Sequence, residues 1–110
     1  MNTGKNSKVF IVDIDGTICS NTGGEYEKAT PYPEMIQKIN SLYRAGNKIR
    51  MMTARGATTG IDWTELTRKQ LLEWGVEYHD LIMNQKPYGD VYIDDKAINV
   101  AAFKLLYFGE

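Results

Sequence analysis

An apolar run that stops abruptly on acids constrains this chain more than any other feature. Val9, Phe10, Ile11 and Val12 form a continuous hydrophobic stretch, and Asp13-Ile14-Asp15-Gly16-Thr17 follows at once. A run of that kind reads as a strand buried on both faces, the strand type of parallel α/β sheets. Side chains two apart on a strand share a face, so Asp13 and Asp15 are expected to converge. Gly16 permits the backbone angles needed to turn away sharply. Both acids then sit at the carboxyl end of the strand, where open α/β sheets place their ligands.

Two carboxylates held close together repel, and the arrangement costs free energy unless a cation or a raised pKa relieves it. Mg²⁺ is the natural relief. A calcium-binding loop is the competing reading of D-x-D-G, and it fails on spacing. Position 12 of such a loop, counted from Asp13 or Asp15, falls on Gly24 or Tyr26, where a bidentate Glu is required.

A chain of 110 residues, 43% hydrophobic and 25% charged, reads as one domain (residues 1–110) near the lower size limit for a doubly wound sheet. The net charge of -1 and the scatter of lysines and arginines leave no basic stripe, which argues against nucleic acid as a partner. Cys19 is the only cysteine, so an internal disulfide and a four-cysteine zinc site are both excluded, and a small semi-buried role is expected. No stretch is long and apolar enough to span a membrane, and Met1 to Lys8 lacks the hydrophobic core of a signal peptide. The expected setting is cytoplasmic, without a membrane partner.

Turn signals alternate with apolar runs in the order β-loop-α-β-α-β-β-α. After the first strand, Ile18 to Tyr32 is a polar, glycine-bearing loop. Pro33 opens a helix whose Met35, Ile36, Ile39, Leu42 and Tyr43 follow helical spacing, and Gly46 ends it. Lys48 to Thr53 is the second strand. A second helix is expected from about Asp62, with Asp62 and Glu65 spaced as a capping box, Leu66, Leu71 and Trp74 as its apolar face, and Gly75 as its stop. Leu81 to Asn84 and Val91 to Asp94 are the third and fourth strands, and a last helix covers roughly Ala97 to Leu105.

Polar residues recur at the ends of these strands. Thr53 closes the second, Lys86 follows the third, and Asp94-Asp95 closes the fourth. Singly each has an ordinary explanation: a strand-forming threonine, a solvated lysine, a helix cap. Together they put a carboxylate pair, a hydroxyl, an ammonium and a second carboxylate pair at successive strand ends. In this the chain resembles the haloacid dehalogenase-like (HAD) hydrolases, whose four motifs match Asp13-Ile14-Asp15-Gly16-Thr17, Thr53, Lys86 and Asp94-Asp95. The resemblance implies a three-layer α/β/α Rossmann-like parallel sheet.

It further implies that Asp13 is a nucleophile that forms an aspartyl-phosphate, with Asp15 as acid and then base. Asp13, the main-chain carbonyl of Asp15, and Asp94 would hold Mg²⁺, with Asp95 as a direct or water-mediated partner. Thr53, Lys86 and main-chain N–H groups just after Asp13 would grip the phosphoryl oxygens. Asp15 favours phosphatase over dehalogenase chemistry. No cap domain fits, because Ile18 to Tyr32 is long enough only for a flap and one helix and one strand fill Thr53 to Lys86.

An open site of this kind suits a small phosphorylated substrate, a sugar phosphate first, as in small capless phosphatases of carbohydrate metabolism. A nucleotide comes second and a polynucleotide 3′-phosphate third. Arg55 is a candidate for binding substrate phosphate or carboxylate, and Trp63 for stacking, although its spacing to Leu66 favours core packing. Small capless relatives commonly oligomerise, so a homo-oligomer is expected, and Leu105 to Phe108 is a candidate fifth strand. The rival from another class is a phospho-accepting receiver module, which places its acceptor Asp after a middle strand. Transfer of the phosphoryl group to an alcohol instead of water stays open.

Overall fold

The computed structural model describes residues 7–84 and 89–93. Lys86, Asp94, Asp95, the expected last helix and the candidate fifth strand lie outside the described residues. Four strands form one all-parallel sheet: β1 (Val9–Asp13), β2 (Lys48–Thr53), β3 (Asp80–Met83) and β4 (Val91–Ile93), in the order β3-β2-β1-β4. Helix α1 (Pro33–Arg44) connects β1 to β2, and α2 (Thr64–Glu73) connects β2 to β3. The architecture is the expected α/β class with a Rossmann-like parallel sheet. Among the described residues no helix is long and apolar enough to cross a membrane.

The apolar run of β1 becomes the centre of the core. Phe10, Ile11 and Val12 are buried, as are Ile49 and Met51 of β2 and Ile93 of β4. Helix α1 starts at Pro33, whose missing N–H costs nothing in the first turn, and it buries Met35, Ile36 and Ile39. Leu42 and Tyr43 pack against the same cluster while remaining partly exposed. Asn40, on this buried face, ties α1 to the turn after α2: its side-chain nitrogen donates to the Gly75 carbonyl at 2.9 Å, and its oxygen accepts from the Glu77 amide at 2.8 Å. Beyond the helix Gly46 adopts φ 98, the left-handed stop that its sequence position announces.

Two elements depart from the sequence expectation. The third strand runs one residue earlier, because Asn84 takes a left-handed φ of 61 and ends the extended backbone at Met83. Helix α2 begins at Thr64, not Asp62. Asp62 accepts from the Thr64 amide at 2.9 Å, a turn just before the helix in place of a capping box. The face of α2 also differs: Thr67, Gln70 and Leu71 are buried, whereas Leu66 is only half-buried. Two polar residues on an inward face require a polar partner inside.

Ile39 is fully buried between α1 and the sheet. Ile39→Ala is expected to lower the unfolding free energy by about 2–5 kcal/mol, measured by urea denaturation.

Candidate active site

Strand register sets the stage. Asp13 lies level with Met52, Thr53 with Met83, and Val12 with Ile93. Strands β2 and β3 lie on one side of β1 and β4 on the other, so the chain reverses its winding direction at the carboxyl end of β1. That is the topological switch point, where such sheets open a crevice. The motif then turns on Gly16, at φ 87. The Thr17 and Ile18 amides donate back to the Ile14 carbonyl at 3.2 and 3.0 Å. Ile14, Thr17 and Ile18 are fully buried, so this turn is part of the core and not a mobile loop.

The polar partner of α2 is Arg55. Only 1% exposed, it donates from Nε to Asp15 Oδ2 at 3.0 Å and from Nη2 to Asp15 Oδ1 at 2.9 Å, a bidentate pair. Its Nη1 donates to Thr67 Oγ1 at 3.1 Å and to Gln70 Oε1 at 2.6 Å. The Tyr26 ring covers it, with its centroid 4.7 Å from Cζ. Gln70 in turn donates to the Tyr26 carbonyl at 2.7 Å. The sequence offers Arg55 either to substrate or to solvent. The guanidinium does neither: it is closed inside the protein, holding Asp15.

Thr53 is buried, and its hydroxyl accepts the Arg55 amide at 3.1 Å. Asn84 supports the same segment from β3. Its amide donates to the Thr53 carbonyl at 2.8 Å, and its side-chain nitrogen, turned toward them, reaches the carbonyls of Ala54 and Arg55 at 3.1 and 3.3 Å. Two of the main-chain N–H groups that follow Asp13 are engaged within the protein. The Ile14 amide donates to Met52 at 3.2 Å and that of Gly16 to Cys19 at 2.9 Å. Thr17, at the end of the motif, has a buried hydroxyl without a partner among the described residues.

Cys19 is fully buried beside Asp15, with Sγ 3.6 Å from Oδ1. Burial first and the Asp15 charge second push its thiol up to about 12 from an ordinary 9.0, which leaves it unreactive near neutrality.

The Ile18–Tyr32 segment is a cinched flap. Ser20 and Thr30 join through two bonds, amide to carbonyl at 2.8 Å and amide to hydroxyl at 2.9 Å, and the Tyr32 amide donates to Ile18 at 2.8 Å. A single 3₁₀ turn at Tyr26–Lys28 delivers Tyr26 onto Arg55 and edge-on to Trp63, with ring centroids 5.0 Å apart. Between the flap and the 54–63 loop lies a cleft of about 140 Å³. Gly56 shapes its far wall: φ is 86, and a Cβ there would lie 2.0 Å from the Ile61 carbonyl oxygen.

Among the described residues no three acidic, histidine or cysteine side chains group as metal ligands. Asp13 and the Asp15 carbonyl, with Asp94 and Asp95 outside the described residues, are hard oxygen donors of the kind Mg²⁺ takes. With the Asp15 carboxylate paired to Arg55, the main-chain carbonyl is the oxygen that the resemblance gives to the ion, and the donor chemistry fits it. Asp13 ends β1 level with Met52, one residue before Thr53 ends β2, and Asp15 follows two residues after Asp13. Thr67, Gln70 and Asn84 are not singled out in the sequence. The one signal for them is the spacing of Thr67 and Gln70, three apart beside Leu71 on a helix whose charged residues Glu65, Arg68, Lys69 and Glu73 are exposed.

No family model matches the chain, and no curated protein matches it either. Among solved structures it is similar to an MCSG target from Vibrio cholerae, with a TM-score of 0.68 and 24% identity over 87% of this chain and 86% of that one. At this identity the likeness shows the fold.

Arg55→Ala strands the Asp15 carboxylate and is expected to cost about 3–5 kcal/mol in urea denaturation, against about 0.5 kcal/mol or less for a solvated arginine. Cys19 should resist iodoacetamide at pH 8 in the native protein and react in denaturant. Since the folded thiol ionises only near about 12 and the ordinary one at 9.0, its contribution to stability is complete below pH 9 and declines as pH rises from there toward 12. Cys19→Ala should flatten that alkaline decline.

Proposed function

We propose that this protein is a Mg²⁺-dependent phosphatase that hydrolyses a small phosphate monoester through an aspartyl-phosphate on Asp13. The supporting observation is the position of Asp13 and Asp15 at the switch point of the sheet, beside Thr53 on the neighbouring strand. The strand-end motifs that resemble HAD hydrolases point the same way.

In this reading an Asp13 oxygen attacks phosphorus in line, the P–O bond to the leaving group breaks, and Asp15 gives a proton to the departing oxygen. Water then attacks the acyl phosphate, Asp15 takes back a proton, and phosphate leaves with Asp13 regenerated. Arg55 fixes the Asp15 carboxylate in place. Both Asp15 oxygens accept from Arg55, and each keeps a further lone pair, so a proton taken from water can stay on the carboxyl until it is given to the next departing oxygen. The buried Thr53 hydroxyl sits one strand away to orient a phosphoryl oxygen.

A carboxylate and a phosphate dianion about 4 Å apart repel by roughly 8 kcal/mol at an effective dielectric of about 20. Mg²⁺, when held by Asp13, the Asp15 carbonyl, Asp94 and Asp95, supplies the charge that offsets this repulsion. Lys86 adds a further positive charge in the same reading.

The test is phosphate release from a panel of monoesters with and without Mg²⁺. Turnover should require the ion and fall by about a thousandfold or more in Asp13→Asn, with an unchanged circular dichroism spectrum. Undiminished release in that variant, or a stable phosphoprotein with no release from any ester, overturns the proposal.

A further inference from the structure

The cleft beside the Arg55 cluster has no part in the phosphoryl chemistry, yet it adjoins it. Tyr26 forms one wall of the cleft and also covers the guanidinium that binds Asp15 at 2.9 Å. Ala54, on another wall, directly follows Thr53. A phosphate at Asp13 would therefore carry its ester group toward this cleft.

Its lining has a definite chemistry. Trp63 and Tyr26 present aromatic surface, and Thr58 and Thr59 bring hydroxyls from a glycine-flanked loop that also exposes main-chain groups. None of the described residues lining it carries a charge. Of the charges that adjoin lining residues in sequence, Arg55 is paired with Asp15, and Glu25 and Asp62 are acidic. A second phosphate or a carboxylate on the leaving group would find no counter-charge among the described lining residues and would lose hydration on entering. Aromatic faces beside hydroxyls and main-chain groups suit a ring with C–H faces and hydroxyl edges. The cleft measures about 140 Å³, on the order of five waters at about 30 Å³ each, the scale of one such ring.

We infer that the cleft between Tyr26, Trp63 and the 54–59 loop is the leaving-group subsite, and that it takes a single uncharged, hydroxyl-bearing ring, as in a monosaccharide phosphate. This rests on the phosphatase reading for the orientation of the ester. It assigns Trp63 a contact with the ligand in addition to its packing on Tyr26.

The chain has two tryptophans, Trp63 and Trp74, so Trp74→Phe leaves Trp63 as the only indole reporter. In that background, with Asp13→Asn to prevent turnover and Mg²⁺ present, a panel of hexose 1- and 6-phosphates, adenosine monophosphate and inorganic phosphate is titrated while Trp63 emission is followed. At least one hexose phosphate should change the emission saturably, whereas inorganic phosphate should not. Ala57→Leu, which adds bulk on an exposed lining residue, should weaken that response by about tenfold.

An emission change with no hexose phosphate, an equal change with inorganic phosphate, or a stronger response to adenosine monophosphate overturns the inference. A response indifferent to Ala57→Leu does the same. Phosphate release by the wild-type protein separates the two proposals. Saturable binding without release from any ester leaves the cleft standing and removes the phosphatase; Mg²⁺-dependent release with a silent Trp63 does the reverse.

Discussion

Much of this structure is arranged around one ion pair taken out of water. A guanidinium at 1% exposure is costly unless its donors are met, and each of the three nitrogens of Arg55 finds acceptors: Asp15 twice, Thr67 and Gln70. The acceptors come from the turn after β1 and from α2, and the flap supplies the aromatic cover. The turn after β1, the flap that continues from it and α2 are thus drawn to one cation. A buried pair of this kind contributes little net stability, because desolvation offsets most of the attraction. What it does is orient. The Asp15 carboxylate is held by two parallel bonds, and α2 must present Thr67 and Gln70 inward to satisfy the remaining donors.

The parallel sheet provides the frame in which that orientation is useful. With β1 between β2 and β4, its carboxyl end faces the crevice that the reversal of winding leaves open. Asn84, in its left-handed conformation, braces the segment after β2 from the neighbouring strand, so Thr53 and Arg55 are supported from both sides. Side chains mounted on strand ends and backed by such contacts move less than side chains on free loops.

The elements with a strong hydrophobic period were legible from sequence, and those governed by a distant partner were not. The run Val9–Val12, the second strand Lys48–Thr53 and the Pro33 helix stand as read, because local pattern and burial agree there. Asp13 and Thr53 fall at the carboxyl ends of β1 and β2 as read. Helix α2 misled because its inward face serves Arg55, a residue separated from Gln70 by a turn and a loop, and periodicity scores polar residues as outward. Arg55 itself misled for the matching reason: composition makes an arginine a surface residue, and only the three-dimensional meeting of Asp15, Thr67 and Gln70 makes burial tolerable. The flap holds two tyrosines, Tyr26 and Tyr32, and only the fold decides that Tyr26 is the one that meets Arg55.

The bonds between Ser20 and Thr30 separate the flap into a fixed base and a tip. Everything that shapes the site on the base side, from Asp13 to Cys19, is closed off before the tip begins, and Gly23 and Gly24 at the tip have open space around them. Because doubling the length of a closed loop costs only about 0.6 kcal/mol in chain entropy, this is where an insertion disturbs the scaffold least. In evolutionary terms the cinched base is a growth point: a lid could be lengthened or exchanged above it, altering what is admitted without redrawing the acids beneath.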